Sequence, residues 1–321
     1  MIRRFFAAVL VLAAVPGLCV CAGAREFLVP VGRVVGLSLA EGSVTVAAYD
    51  DLLGAGAREA GIRIGDDIVS VDGNTIDSAR ELQDALTRSS GTVELVLDRR
   101  GTEHRLTIAP QITAEGPRLG VYVREGVTGI GTVTWYDPEE GTFGALGHGV
   151  SDSRGRLCRM ERGSVFDATV SGVRRGRAGT PGQLRGDVDS TRPIGSLEEN
   201  TVFGVFGTGP RFTGTPMATA EAEEVRTGPA SILSNISGSH VGLYQVEILK
   251  ISDPETSNGR DLLIQVTDPV LLEQTGGIVA GMSGSPIIQD GKLVGAVTHV
   301  LVNSPDTGYG IFIENMLEAA A

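Results

Sequence analysis

Gly281-Met282-Ser283-Gly284-Ser285-Pro286 is the stretch on which the reading of this chain turns. Downstream of it, Ile287-Ile288-Gln289 leads to a turn at Asp290-Gly291, and then to Leu293-Val294-Gly295-Ala296-Val297-Thr298-His299. Glycines on either side of a serine permit a turn that other residues rarely adopt, expose the hydroxyl and leave space beside it. They also let backbone N–H groups converge on one point, as stabilisation of an oxyanion requires. Ser283 is the candidate nucleophile, and Gly281 and Ser283 are the candidate N–H donors. The two apolar runs separated by Asp-Gly predict a hairpin. A plain turn between strands can have the same composition, so the serine reading needs a base elsewhere in the chain.

The sequence has four histidines. His104 and His240 sit beside predicted strands and read as structural, whereas His299 falls on the strand after the serine and could line a pocket. His148, in Gly144-Ala145-Leu146-Gly147-His148-Gly149-Val150, follows a predicted strand at 141–146 and stands among glycines that leave an imidazole accessible. It is the candidate general base. A carboxylate is expected to orient it. Asp268, at the end of a predicted strand, competes with Asp152, four residues after His148. Asp268 also reads as a helix N-cap, because Pro269 follows it. The residues alone leave these two open.

Around these positions, residues 118–321 are rich in short strand signals. These fall at 131–136, 164–173, 201–207, 228–233, 241–251, 262–266, 293–300 and 309–313, with helices predicted only at 270–274 and 314–320. The serine–strand–turn–strand order resembles the C-terminal barrel of chymotrypsin-like peptidases. The expected fold is therefore mainly β, with a chymotrypsin-like double β-barrel over residues 118–321.

Residues 27–110 read as a separate small domain. Ala60-Gly61-Ile62-Arg63-Ile64-Gly65-Asp66-Asp67-Ile68-Val69-Ser70-Val71-Asp72-Gly73 closely resembles the core of a PDZ domain, and Asp77 or Ser78 can cap a helix running through Leu86. Such a domain binds an extended peptide as an added strand beside a glycine-containing loop. Val35, Gly36, Leu37, Ser38 and Leu39 are the candidate loop and strand. A Gly/Glu/Pro-rich linker is expected at 113–117.

Taken together, the stretches 144–150, Thr267-Asp268-Pro269, 275–279, 281–288, 295–300 and 304–313 resemble the stage IV sporulation protein B peptidases. That resemblance implies a serine endopeptidase with His148, Asp268 and Ser283 as catalytic residues. It further implies an exported sporulation protein, acting between the forespore membranes, that cleaves itself and then a membrane-bound regulator. Cleavage would relieve inhibition of an intramembrane metalloprotease and so activate a mother-cell sigma factor. Two other readings are a PDZ-bearing quality-control protease and a catalytically silent PDZ adaptor. The quality-control type normally has the peptidase before the PDZ domain, and the retained Ser283 and His148 speak against the adaptor.

Composition bounds the rest. Glycine supplies 45 of 321 residues, about twice the usual ~7%, without a collagen-like period, which suits many strands joined by tight turns. A net charge of −12 argues against a nucleic-acid partner, since phosphate binding needs clustered Lys and Arg. Residues 1–24 read as a signal peptide or N-terminal anchor, with Arg3-Arg4, an apolar run and Ala22-Gly23-Ala24. Only Cys158 then remains in the mature chain. No metal site or cofactor is implied.

Overall fold

The computed structural model describes residues 27–152, 155–252 and 257–321; the leader expected at 1–24 lies outside them. Its organisation follows from one long strand, β2 (Val34–Tyr49). In the first half of β2, side chains alternate as the pleat requires. Val35, Leu37 and Leu39 enter one apolar core, whereas Val34 enters another on the opposite face. In its second half Val44 and Val46 enter a third core. One strand therefore serves three cores.

The first core is enclosed by a ring of strands. β2 pairs with β9 (Val121–Tyr136) on one edge and with β11 (Arg162–Arg174) on the other. β11 pairs with β12 (Gln183–Thr201), β12 with β13 (Gly204–Thr208), β13 with β10 (Thr142–Ala145), and β10 with β9. The result is a closed six-stranded antiparallel barrel. Strand β1 (Phe27–Pro30) adds to the end of β9 and pairs with β14 (Met217–Ala218).

A second closed barrel comprises β15 (Gly228–Ser237), β16 (His240–Ile251), β17 (Leu262–Val266), β18 (Pro286–Gln289), β19 (Lys292–Leu301) and β20 (Ser304–Phe312). The mainly β, double-barrel architecture expected from sequence is present. Closure leaves few free strand edges, which a chain with this much strand needs.

The PDZ module is present, but it begins later than expected and is not N-terminal to the peptidase. It contains α1 (Gly54–Ala60), β3 (Asp67–Val71), β4 (Asn74–Thr75), α2 (Ala79–Arg88), β5 (Val93–Arg99) and β6 (Thr102–Ile108), together with the second half of β2 and the first residues of β9. Ser78 caps α2 by accepting from the Glu81 N–H, one of the two capping residues expected. Inside the module, Arg99 forms two hydrogen bonds of 2.7 Å with the buried Asp66 carboxylate of the Gly65-Asp66 turn.

The domain boundary at 27–110 is therefore corrected. Residues 27–40 belong to the first barrel, and the PDZ module is inserted between that barrel's first two strands. Nor is 113–117 a linker: it forms most of a small hairpin of β7 (Gln111–Thr113) and β8 (Gly116–Arg118). A pattern of alternating apolar residues runs unbroken through the change of core, so the sequence carried no mark of the boundary. Val35–Leu39 is corrected too. Both of its edges are already paired, to Gly131–Val127 on β9 and to Asp167–Gly163 on β11, so it has no free edge to accept a peptide.

Because Ala40 and Gly126 are direct cross-strand partners, the module starts and ends at neighbouring points. Its fifteen buried apolar residues form a core of their own. Replacing residues 41–125 by a two-residue Asn-Gly turn should therefore leave both barrels folded, since that turn suits directly paired strand ends. Circular dichroism and a cooperative thermal transition are the readout. A chain without cooperative unfolding would show that the barrel needs the module.

Candidate active site

Ser283 and His148 come together at the junction of the barrels, one from each. Ser283 lies on the turn entering β18. Gly281 (φ +100°) and Gly284 (φ +96°) both take the left-handed conformation expected of them. A Cβ at Gly284 would stand 2.0 Å from the Thr132 carbonyl oxygen and 2.6 Å from the Leu146 N, so only glycine fits where the turn meets the first barrel. The turn is also pinned to its own barrel, with Gly284 N–H donating to Val297 O (2.7 Å) and Val297 N–H to Ser285 O (2.9 Å).

His148 lies on the turn after β10. Leu146 (φ +72°) and Gly147 (φ +68°) are consecutive left-handed residues, which reverse the chain and bring the imidazole into the cleft. A left-handed leucine costs of order 1–3 kcal/mol and persists only where its surroundings hold it. Here Leu146 is buried and its N–H donates to Thr132 O at 3.1 Å. Beyond the histidine, Asn200 accepts from Val150 N–H and donates to the carbonyls of Val150 and Cys158, all at 2.9 Å, which fixes the path of the loop.

The cleft holds about 480 Å³ and is lined by His148, Ser283, Gly281 and His299, among others. The His148 Nδ1 lies 3.0 Å from the Gly149 carbonyl oxygen. A carbonyl only accepts, so Nδ1 carries the proton and Nε2 is left as the basic nitrogen. Burial pushes the His148 imidazole below its ordinary value, partly offset by that carbonyl. The His299 ring stands 5.0 Å from it, centroid to centroid; burial, the His148 charge and Arg260 push His299 down to about 4. The Ser283 hydroxyl donates to Thr298 O at 2.7 Å. The N–H groups of Gly281 and Ser283 donate to no group among the described residues. By contrast Ser285 is fully buried and donates to the Ser234 hydroxyl, so it packs inside the second barrel.

A larger groove of about 600 Å³ adjoins the cleft, sharing Leu37, Gly129 and Ile130 with it. Leu184, Arg185, Gly186 and Val188 of β12 also line it. β12 escaped the sequence reading because most of its 19 residues are polar and exposed.

Neither candidate acid joins the two. Asp268 is the N-cap of α3 (Pro269–Thr275): its Oδ1 accepts from Val270 and Leu271 N–H at 2.9 and 3.0 Å, and its Oδ2 from Gln245 N–H at 3.3 Å. Asp152 holds the Arg156 guanidinium at 2.8 and 3.0 Å beside a separate polar pocket that includes Glu41 and Arg124. Among the described residues the imidazole of His148 has a carbonyl partner and no carboxylate. No hydrogen bond joins Asp268 to His148 among the described residues: the cap, legible from Pro269, engages its Oδ1, and Gln245 N–H engages its Oδ2.

Among the described residues the PDZ module has a free edge in a different place from Val35–Leu39. Val121–Arg124 of β9 pairs with β2 on one side only, and α2 lies near it, with Ala79 N–H donating to the Glu125 carboxylate and Gln83 Nε2 to Pro117 O at 3.2 Å. Gly120 (φ +76°) begins this segment, and a Cβ there would stand 2.3 Å from Leu53 O. The signal was available in Leu119-Gly120-Val121-Tyr122-Val123, an apolar–glycine–apolar entry into a strand. It fell outside a domain taken to end at 110.

A family model described as SpoIVB peptidase S55 matches residues 115–317. No curated protein matches the chain. Among solved structures, the PDZ domain of an SdrC-like protein from Listeria monocytogenes is 22% identical over 27% of this chain and 92% of that one, with a TM-score of 0.23. The inactive form of the Rv3671c protease, with the Ser343Ala mutant of the M. tuberculosis H37Rv protein, is 15% identical over 60% of this chain; the first covers 82% of its own length, and both have a TM-score of 0.34. The HtrA-type protease AlgW with a decapeptide is 14% identical over 69% of this chain and about half (54%) of its own, with a TM-score of 0.35.

The two carboxylate roles of Asp268 separate by substitution. Asparagine caps helices about as well as aspartate, while alanine loses roughly 0.5–2 kcal/mol of stability. Asp268→Asn should therefore keep both melting temperature and turnover, and Asp268→Ala should lower the melting temperature. A loss of turnover above a hundredfold in Asp268→Asn at unchanged melting temperature would restore Asp268 to the catalytic group.

Proposed function

Because the chain belongs to the SpoIVB peptidase S55 family, and so is a serine peptidase, we propose that it is an exported signalling endopeptidase of endospore formation. In this reading it works between the forespore membranes, cleaves itself and then cuts a membrane-bound regulator. The cut relieves inhibition of an intramembrane metalloprotease and activates a mother-cell sigma factor. Family membership supports the sporulation setting, and the apolar, basic-flanked start of the sequence supports export. The observation that carries the chemistry is the convergence of Ser283, the basic Nε2 side of His148 and two N–H groups without a partner among the described residues on one cleft between two barrels.

The reaction runs as acyl transfer. Ser283 Oγ turns from Thr298 O and attacks the scissile carbonyl carbon while His148 Nε2 takes its proton. The carbonyl oxygen, now an anion, accepts from Gly281 and Ser283 N–H; such donors are worth about 10²–10³ in rate each. Collapse breaks the C–N bond, and His148 returns the proton to the leaving amine. Water then repeats the sequence on the acyl-enzyme, releasing the acid and restoring the serine. Gly149 O keeps the imidazole in the productive tautomer, the orienting task a carboxylate performs in the Ser-His-Asp arrangement. The substrate chain extends from the cleft into the adjoining groove beside β12. The edge of β9 at Val121–Arg124, facing α2, holds an extended peptide by strand addition, which raises the local concentration of a tethered substrate.

Labelling by a fluorophosphonate and time-dependent N-terminal shortening of the purified chain should both vanish in Ser283→Ala. Ser285→Ala should retain both, because that hydroxyl points into the barrel. Labelling of Ser283→Ala would end the assignment. The pH profile provides a separate check. A base works only unprotonated, so activity falls as pH drops through the pKa of His148, which burial lowers. The acid limb of kcat/KM should accordingly lie below the ordinary histidine value of ~6.5. A limb above 7 would contradict His148 as the half-buried base.

A further inference from the structure

Thr132 of β9 spends every polar group it has at the junction of the barrels. It is fully buried. Its N–H donates to Ser283 O at 3.1 Å, its hydroxyl donates to Gly281 O at 2.7 Å, and its carbonyl accepts from Leu146 N–H at 3.1 Å. Two of these bonds fall on the serine turn and one on the histidine turn. We propose that Thr132 is a positioning residue for the reaction, its hydroxyl reaching from the first barrel to fix the Gly281 peptide and so aim the N–H groups that receive the oxyanion. The proposal rests on the serine-peptidase reading, with Gly281 and Ser283 as donors.

The reason lies in Gly281 itself. A glycine has little intrinsic preference among backbone conformations, so whatever holds it at φ +100° must act from outside. Two bonds from the first barrel do so, beside one within the turn, where Met282 N–H donates to Val279 O at 3.0 Å. Leu184 N–H on β12 holds Ala280 O at 2.8 Å, and because a trans peptide points its N–H away from its C=O, this aims Gly281 N–H the other way. The Thr132 hydroxyl holds the next carbonyl, that of Gly281. Within the turn, Ser285 N–H holds Met282 O at 2.9 Å, which orients the Ser283 N–H in the same manner. Removing the hydroxyl leaves the Gly281–Met282 peptide held only from within the turn, by Met282 N–H to Val279 O, and takes away its anchor on the first barrel.

A second buried threonine on the same strand provides the control. The Thr134 hydroxyl is buried and has no hydrogen-bond partner among the described residues. Burial of a threonine in β9 therefore does not by itself imply a task, and Thr134→Val removes an idle hydroxyl from an equivalent setting.

The test uses the full chain with Thr132→Val, Thr132→Ser and Thr134→Val. It measures melting temperature, fluorophosphonate labelling rate, and kcat and KM on a peptide ester. Thr132→Val should lower kcat and labelling by about 10–100-fold, a part of what losing a whole oxyanion donor costs, with KM within about twofold. Thr132→Ser, which restores the donor, should recover kcat to within about threefold, and Thr134→Val should match wild type. If Thr132→Val does not fold, Thr132→Cys, which keeps a small side chain but offers a weaker donor, takes its place under the same criteria. Wild-type kcat in the variant without a good donor overturns the proposal, as does a Thr132→Ser that is equally impaired. These outcomes differ from failure of the underlying reading, in which wild type is not labelled or Ser283→Ala labels as wild type does; that result removes the proposal together with its premise.

Discussion

Where the turn carrying Ser283 meets β9, backbone packs on backbone, tied across the barrels by the Thr132 hydroxyl. The turn carrying Ser283 lies against β9 closely enough that a methyl group at Gly284 would overlap the Thr132 carbonyl. Two polar surfaces brought this close must satisfy each other, since buried N–H and C=O groups left unpaired cost about as much as a lost hydrogen bond. They do so through Thr132, which also anchors the start of the His148 turn. The relative placement of nucleophile and base thus depends on main-chain contacts, which have few ways to adjust, and less on flexible side chains.

The same economy governs the PDZ insertion. β2 and β9 run from the first barrel into the module still paired with each other, with a register shift between Ala40 and Thr45, across which the other edge of β2 passes from β11 to β3. Two strands shared by two cores make a stiffer joint than a flexible linker, and the edge at Val121–Arg124 proposed to accept a peptide lies on the same strand as Thr132. An occupant of that edge and the catalytic turn are connected through a single β-strand.

Inside the cleft, partial burial acts on both histidines. It depresses the basicity of His148 and of His299, which keeps the facing rings neutral near pH 7. In the proposed reaction it would also strengthen the attraction between an oxyanion and the N–H groups of Gly281 and Ser283, because the effective dielectric there is below that of water. Asp268 stands apart from this balance: its carboxylate stabilises the start of α3, and the path from β17 to the serine turn passes through that helix.

What the sequence determined by itself was local. Glycines flanking Ser283, the glycine-set His148, the Gly65-Asp66 turn, the Ser78 cap and most strands of the second barrel were legible because turns, caps and alternation are decided by neighbouring residues. Three features needed the tertiary structure. The allocation of Val34–Tyr49 to different cores was hidden because alternation continues unchanged as the facing core changes. β12 was hidden because a solvated hairpin arm has no apolar face to show. The companions of the site, Thr132, Asn200 and His299 beside His148, and the absence of Asp268 from among them, depend on contacts between residues far apart in the chain. Spacing in the sequence gives no distance across a barrel interface, and only the closing of both barrels brings those groups together.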